Sequence, residues 1–82
     1  MVAFDEAAKR RIRFLTRRGL LELDILLERF MATEFQHLSD QEIAVFIAIL
    51  DLPDQEFLAL VNQKEQAERD DFKPLLEKIR NA

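Results

Sequence analysis

The chain has 82 residues, a formal net charge of −4, one glycine, two prolines, one histidine and no cysteine. A chain of this length holds a single hydrophobic core, which excludes a two-domain enzyme. So few turn-forming residues argue against an all-β fold. Because there is no cysteine, disulfides and thiolate metal sites are excluded. The lone histidine excludes a multi-histidine zinc site. The longest apolar run, 43–50, is too short to cross a bilayer.

The first predicted helix runs from Asp5 to Arg18, because apolar residues recur there at helical spacing with basic residues on the other side. Its expected buried stripe consists of Phe4, Ala8, Ile12 and Leu15. Arg17 and Arg18 fall in the predicted last turn, where cations complement the helix dipole. Gly19 follows at the C′ position, where a positive φ is favoured.

The second predicted helix begins directly after Gly19 and runs to about Thr33 or Phe35. Its apolar stripe is Leu20, Leu23, Leu27 and Phe30. Glu22 lies near the N3 position, where its carboxylate is expected to accept hydrogen bonds from first-turn N–H groups.

The third predicted helix follows the sequence Ser39-Asp40-Gln41-Glu42, which matches the S-x-x-E capping box. An apolar stripe comes directly after it: Ile43, Phe46, Ile47 and Leu50. Since this helix is apolar nearly all round, we expect it to be the central one.

Two further helices complete the prediction. Asp54 is expected to cap the fourth, which ends near Asn62 and carries Phe57, Leu58, Leu60 and Val61. Asp70 or Asp71 is expected to cap the fifth, with Pro74 in its first turn, where a missing N–H leaves no bond unmade. Its stripe is Phe72, Leu75, Leu76 and Ile79. The predicted fold is an all-α, single-domain five-helix bundle over residues 1–82.

Charge is unevenly distributed along this chain. Residues 1–18 hold six basic and two acidic groups, whereas residues 19–63 hold one base and nine acids. The basic stretch from Lys9 to Arg18 allows one alternative function, a helical regulatory module that binds nucleic acid or an acidic partner. Nucleic-acid binding is disfavoured because the whole chain is acidic and has no Tyr or Trp to stack on bases.

No arrangement of residues indicates catalysis. His37 has no second imidazole at metal-ligand spacing, and we interpret it as a surface or interhelix residue. Asp70 and Asp71 are better explained as helix-capping acids than as an acid–base pair. We therefore expect no enzymatic activity, no catalytic residues and no metal site. No signal-like apolar segment begins the chain, and we expect a cytoplasmic location without a transmembrane segment.

One group of residues combines features of a binding surface: Arg17, Arg18, Gly19, Glu22 and Asp24 gather guanidinium groups, bare backbone and carboxylates at the junction of the first two helices. A glycine there allows close approach of another molecule, and charged groups beside it can form charge-assisted hydrogen bonds. As exposed helix-end charges, Arg18 and Glu22 are expected to contribute little to stability.

The RGxxE sequence formed by Arg18, Gly19 and Glu22 resembles the signature of the succinate dehydrogenase flavinylation factors, the SdhE-like FAD assembly factors. The resemblance extends over nearly the whole chain: it includes 11–14, Arg17, 30–35, Leu38-Ser39-Asp40 with Glu42, and the turn 51–54. Two positions depart from it, since Ala59 and Asn62 stand where members of the family often have a tryptophan and a glycine.

The resemblance implies a small five-helix bundle that binds the flavoprotein subunit of succinate dehydrogenase, or of fumarate reductase, and promotes covalent attachment of FAD to it. It also implies that the factor acts as a chaperone and does not stably hold FAD itself. Arg18, Gly19 and Glu22 would form the centre of the contact. Arg11, Arg17 and Asp24 would support it.

Overall fold

A computed structural model describes residues 4–82, so the first three residues of the predicted domain lie outside the described part. Five α-helices follow one another: α1 (Glu6–Leu15), α2 (Leu21–Thr33), α3 (Asp40–Leu50), α4 (Asp54–Val61) and α5 (Phe72–Arg80). A short 3₁₀ turn, Phe35–His37, joins α2 to α3. Residues 4–82 contain no strand, and the predicted all-α five-helix fold is confirmed. No helix within them has the length and hydropathy of a bilayer-spanning segment.

The core forms where the apolar stripes of α2 to α5 meet. Phe46 of α3 lies with its ring centroid 4.8 Å from that of Phe30 and 6.0 Å from that of Phe35. All four residues of the predicted α5 stripe are buried, and α5 packs against α2, α3 and α4. Helix α5 thus shares the centre of the bundle with α3, of which only Asp40, Gln41 and Ala44 are exposed.

Helix α1 is shorter than predicted and contributes less to the core. It begins as expected at Asp5, whose Oδ1 accepts the Ala8 N–H at 2.8 Å. It ends at Leu15 instead of Arg18, since Thr16 is the C-cap and its hydroxyl donates to the Arg13 carbonyl at 2.6 Å. Ile12 is the only buried residue of α1, and Leu15 of the predicted stripe is 48% exposed.

The N-terminus of α4 has another N-cap than the predicted one, whereas α5 has a predicted residue at its N-cap but not the predicted capping bond. Pro53 occupies the N-cap of α4, so Asp54 is the first helical residue and not the cap. Asp71 does occupy the N-cap of α5, but its side chain makes no capping hydrogen bond. It forms instead a two-bond ion pair with the Arg69 guanidinium, at 2.6 and 3.0 Å. Pro74 lies in the first turn, as predicted.

The capping box predicted for α3 is present and is linked to α5. Glu42 Oε1 accepts the Ser39 N–H at 3.0 Å, and Ser39 Oγ accepts the Glu42 N–H at 3.2 Å. The second carboxylate oxygen of Glu42 lies 3.1 Å from Lys78 Nζ. The hydrogen bond from the Ser39 backbone, followed by the one from Lys78, holds the pKa of Glu42 below its usual value.

Helix α4 ends in a Schellman motif. The Gln63 N–H donates to the Leu60 carbonyl, and the Lys64 N–H donates to the Ala59 carbonyl at 2.8 Å. The motif requires a left-handed residue after the C-cap Asn62, and Gln63 adopts it with φ of 60°. A side chain in this conformation costs about 1–2 kcal/mol.

Gln63→Gly is expected to stabilise the protein by about 1 kcal/mol, because glycine adopts the left-handed conformation without a Cβ clash and loses only part of that gain in chain entropy. Urea denaturation measures the change. Gln66→Gly, in the same segment at ordinary φ, is the matched control and should destabilise slightly. Equal effects of the two substitutions would contradict the role assigned to Gln63.

Glu42→Gln is expected to lower stability at pH 7 and to leave it unchanged near pH 2. A carboxyl with a lowered pKa stabilises the fold above its usual pKa of about 4.3, and this contribution is lost as pH falls through the lowered value. Because the ion pair is partly exposed, the loss at pH 7 should be about 0.3–1 kcal/mol. Thermal denaturation of Glu42→Gln across this pH range measures the change, with Glu68→Gln as an exposed control. A loss of stability that did not depend on pH would mean that packing, and not the charge of Glu42, was responsible.

Candidate functional site

The connection between α1 and α2 is the part of the structure that carries the RGxxE sequence. Gly19 has φ of +84°, which confirms the predicted positive φ. It lies just before Leu20, the N-cap of α2, and three residues after Thr16, the C-cap of α1. The predicted C′ position is therefore wrong. A Cβ built on Gly19 meets no atom within 4 Å, so the space beside this backbone is open.

Arg18 points into the protein. Its Nε lies 2.5 Å from Asp54 Oδ1, one terminal nitrogen donates to the Leu50 carbonyl at 2.6 Å, and the other donates to the Leu52 carbonyl. Only 12% of its side chain is exposed. The interpretation of Arg18 as an exposed cation in the last turn of α1 is wrong, because that helix has already ended.

The acceptors explain why an arginine is needed at this position. The last carbonyls of a helix have no partner within it, and α3 has no basic residue in its last turn. Arg18 supplies donors to that end of α3, while Asp54 presents a carboxylate from the first residue of α4. The guanidinium carbon also lies 5.3 Å from the centroid of the Phe57 ring. Arg18 thus ties the α1–α2 connection to the α3–α4 turn.

Asp24 holds the backbone of the same connection. Its Oδ1 accepts the Arg18 N–H at 2.9 Å, and its Oδ2 accepts the Gly19 N–H at 3.2 Å. These bonds satisfy two amides that precede α2 and fix the path of the chain into that helix. Asp24 is half-buried, and it, not Glu22, is the carboxylate of α2 that accepts backbone N–H groups here, although these amides precede the helix.

Three of the predicted site residues face solvent: Glu22, Arg11 and Arg17. Glu22 is the second residue of α2, not the third, and makes no capping hydrogen bond. Within residues 4–82 the ion pairs involve other side chains. Glu22 and Arg17 therefore lie on either side of Gly19 in the sequence, and neither takes part in the ion pairs of residues 4–82.

Two groups at this connection were not predicted from the sequence. The first is Asp54, which was assigned to a cap and instead binds Arg18. The second is the exposed apolar side chains Phe14 and Leu21, which are 75% and 74% exposed. Both lie outside the apolar stripes predicted for their helices, which was the signal available in the sequence.

An open groove of about 630 Å³ lies alongside the connection and is lined by side chains of both signs together with Gly19. Arg13 and Arg17 contribute the positive charges, and Asp24 and Glu28 the negative ones. Such a surface can recognise polar groups by charge-assisted hydrogen bonds. No group of three or more His, Asp or Glu residues in 4–82 is placed to hold a metal ion, and His37 lies in the 3₁₀ turn, outside this surface.

Comparison with known proteins gives a consistent result. Residues 10–82 match the family model described as "Flavinator of succinate dehydrogenase". The chain is 40% identical over 75 residues to the FAD assembly factor SdhE of Coxiella burnetii, with 92% of each chain covered. It is 34% identical to the protein of the same name from Vibrio vulnificus, with 87% of this chain and 83% of the relative covered. It is also 34% identical to the protein of that name from Ralstonia nicotianae, with 78% of this chain and 67% of the relative covered.

Arg18→Ala is expected to destabilise the protein by about 2–4 kcal/mol, because it leaves two carbonyls and a carboxylate without their donors. Arg17→Ala removes the same side chain from an exposed position one residue earlier and should change stability by less than about 0.5 kcal/mol. Urea denaturation of both variants measures the difference. Equal stabilities would contradict the internal role of Arg18.

Proposed function

The chain belongs to the flavinator of succinate dehydrogenase family, and from that premise we propose that it is an FAD assembly factor. It binds the flavoprotein subunit of succinate dehydrogenase and promotes covalent attachment of FAD to that subunit. The family model covers all but the first nine residues, and the relatives that cover most of the chain carry the name FAD assembly factor SdhE. These matches support the assembly-factor hypothesis and give no support to a nucleic-acid module.

The observation that carries the site assignment is the open backbone at Gly19. Gly19 has a positive φ, and apart from Gly19 and its two chain neighbours no atom lies within 4 Å of a Cβ built on it, so a partner can approach the main chain closely. Glu22 and Arg17 stand exposed on either side. Their charges can pair with groups of the flavoprotein once water is excluded.

The proposed partner-binding residues then have two different duties. Gly19 and Glu22 form the centre of the contact, with Arg11 and Arg17 as exposed supporting charges. Arg18 and Asp24 belong to the same site as positioning residues, because their hydrogen bonds hold the backbone that presents Gly19. Arg18 therefore acts mainly through the shape of the connection.

The chain is proposed to act without catalysis of its own. The junction surface carries carboxylates and guanidinium groups but no nucleophile beside a base, which supports a chaperone role in which the flavoprotein and its FAD perform the chemistry. FAD is not held stably by the factor. The flavoprotein of fumarate reductase is proposed as a second partner, and the cytoplasm as the compartment.

Glu22→Ala is expected to melt like the wild type and to reduce covalent flavin on the flavoprotein by tenfold or more, since losing one member of a desolvated charge pair costs about 2–5 kcal/mol of binding. Flavin fluorescence of the denatured subunit, from cells lacking the native factor and complemented with each variant, measures attachment. Glu77→Ala, on the exposed face of α5, is the matched control and should complement fully.

Variants of Gly19 test the same site independently in the same flavin-attachment assay. Gly19→Ala should cost about 1 kcal/mol through its φ alone, whereas Gly19→Val adds bulk that projects into the open space. If folded Gly19→Val and Glu22→Ala both supported full attachment, the proposed site would be wrong. If loss of the factor left flavin attachment unchanged, the proposed function would be wrong.

A further inference from the structure

We propose that the flavoprotein subunit is anchored by an apolar strip that runs along the α1–α2 junction beside Gly19. The strip consists of Phe14, Leu15, Leu21 and Ile25 and is called here the junction strip. Its proposed counterpart on the flavoprotein is an apolar patch bordered by carboxylates. This inference rests on the proposed function and deepens it, because it names the surface that supplies affinity and the chemistry of the site that receives it.

The first observation is the concentration of exposed apolar side chains. The large apolar residues of 4–82 that remain strongly exposed all fall between positions 14 and 25, with exposures of 75% for Phe14, 48% for Leu15, 74% for Leu21 and 41% for Ile25. Single exposed apolar residues are ordinary. Four of them in one short stretch of sequence, at the end of α1 and the start of α2, are the basis on which we infer one interaction surface. The rest of the described surface has no equivalent group.

The second observation is that these side chains do not contribute to the buried core. Leu21 and Ile25 lie four residues apart on one face of α2. The core of that helix is built instead from Leu23, Leu27 and Phe30. Helix α2 therefore carries apolar residues on two faces, and only one of them is covered.

The charge around the junction strip indicates the partner. Helix α1 contains four basic residues and one acidic residue, and Arg10, Arg11 and Arg13 are exposed. The strip thus has a cationic border on a chain whose net charge is −4. A complementary surface carries carboxylates around an apolar centre, since matched potentials speed association and exclude wrong partners.

Two other occupants fit this surface less well. A second copy of the chain would meet the strip in a two-fold contact that brings the basic borders of both copies together, and like charges across an interface are unfavourable. An anionic membrane would attract the basic residues of α1 but would repel Glu22, which lies exposed next to Leu21. The protein partner already proposed for Gly19 suits both features, and Gly19 lies between Leu15 and Leu21 in the connection.

The test measures binding of the purified FAD-free succinate dehydrogenase flavoprotein subunit by titration calorimetry. Phe14→Ser and Leu21→Ser should each weaken Kd by about tenfold to a hundredfold, the loss expected when one large apolar side chain is no longer buried. Their melting temperatures should stay within a few degrees of the wild type, since both side chains are exposed already. Ala44→Ser, an exposed apolar position on α3, is the control and should bind normally.

The cationic border is tested by salt dependence. Arg11→Gln should make Kd less sensitive to ionic strength, whereas Lys64→Gln, the same loss of charge from the exposed segment after α4, should not. Unchanged salt sensitivity of Arg11→Gln would overturn the acidic-border part of the proposal.

Several results would overturn the strip as an anchor. If both serine variants bound like the wild type while Glu22→Ala lost binding, the strip would be wrong and the proposed function would stand. If the wild type failed to bind the subunit at all, both would fall. The strip would also be wrong if its substitution abolished only self-association in sedimentation, or only binding to phosphatidylglycerol vesicles, with flavoprotein affinity unchanged.

Discussion

The burial of one guanidinium determines the geometry of the whole site. A charged group mostly withdrawn from water must have its donors paired, and Arg18 finds its acceptors at Asp54 and at the carbonyls of Leu50 and Leu52. The chain leaves α1 at Thr16, two residues before Arg18, and Leu20 is already the N-cap of α2. Gly19 lies between them with a positive φ. The buried arginine and the exposed glycine are therefore neighbours in one short connection.

A second arginine of this small bundle also donates to carbonyls at the end of another helix. Helix α4, like α3, has no basic residue in its last turn, and Arg80 of α5 donates to the Leu60 and Val61 carbonyls at 2.8 Å. The ends of α3 and α4 therefore obtain some of their donors from another helix or connection. In a chain this small, these bonds add fixed contacts between elements to the apolar packing of the core.

The helices could be predicted from the sequence because their signals are local. Apolar periodicity located all five, and Ser39 with Glu42 identified the start of α3 through residues three positions apart. The orientation of Arg18 could not be predicted in this way, since its acceptors lie 32 to 36 residues further along the chain. The end of α1 was misplaced for a different reason: Thr16 caps the helix locally through its hydroxyl, and the apolar periodicity and Gly19 did not indicate this. The positive φ of Gly19 was predictable from its residue type, but its place relative to the helix ends was not.

The distribution of burial separates stability from recognition within one short sequence. The core is supplied by α2 to α5, whereas α1 contributes only Ile12 as a buried residue. Residues on the outer side of the connection, such as Glu22 and Leu21, can therefore be adapted to a partner at little cost to the folded state. Arg18 has no such freedom, because a change there disturbs the turn between α3 and α4 as well as the surface. Under the proposed contact, substitutions in RGxxE would act by two routes: some would alter the partner contact directly, and others would weaken it by allowing the backbone that presents Gly19 to relax.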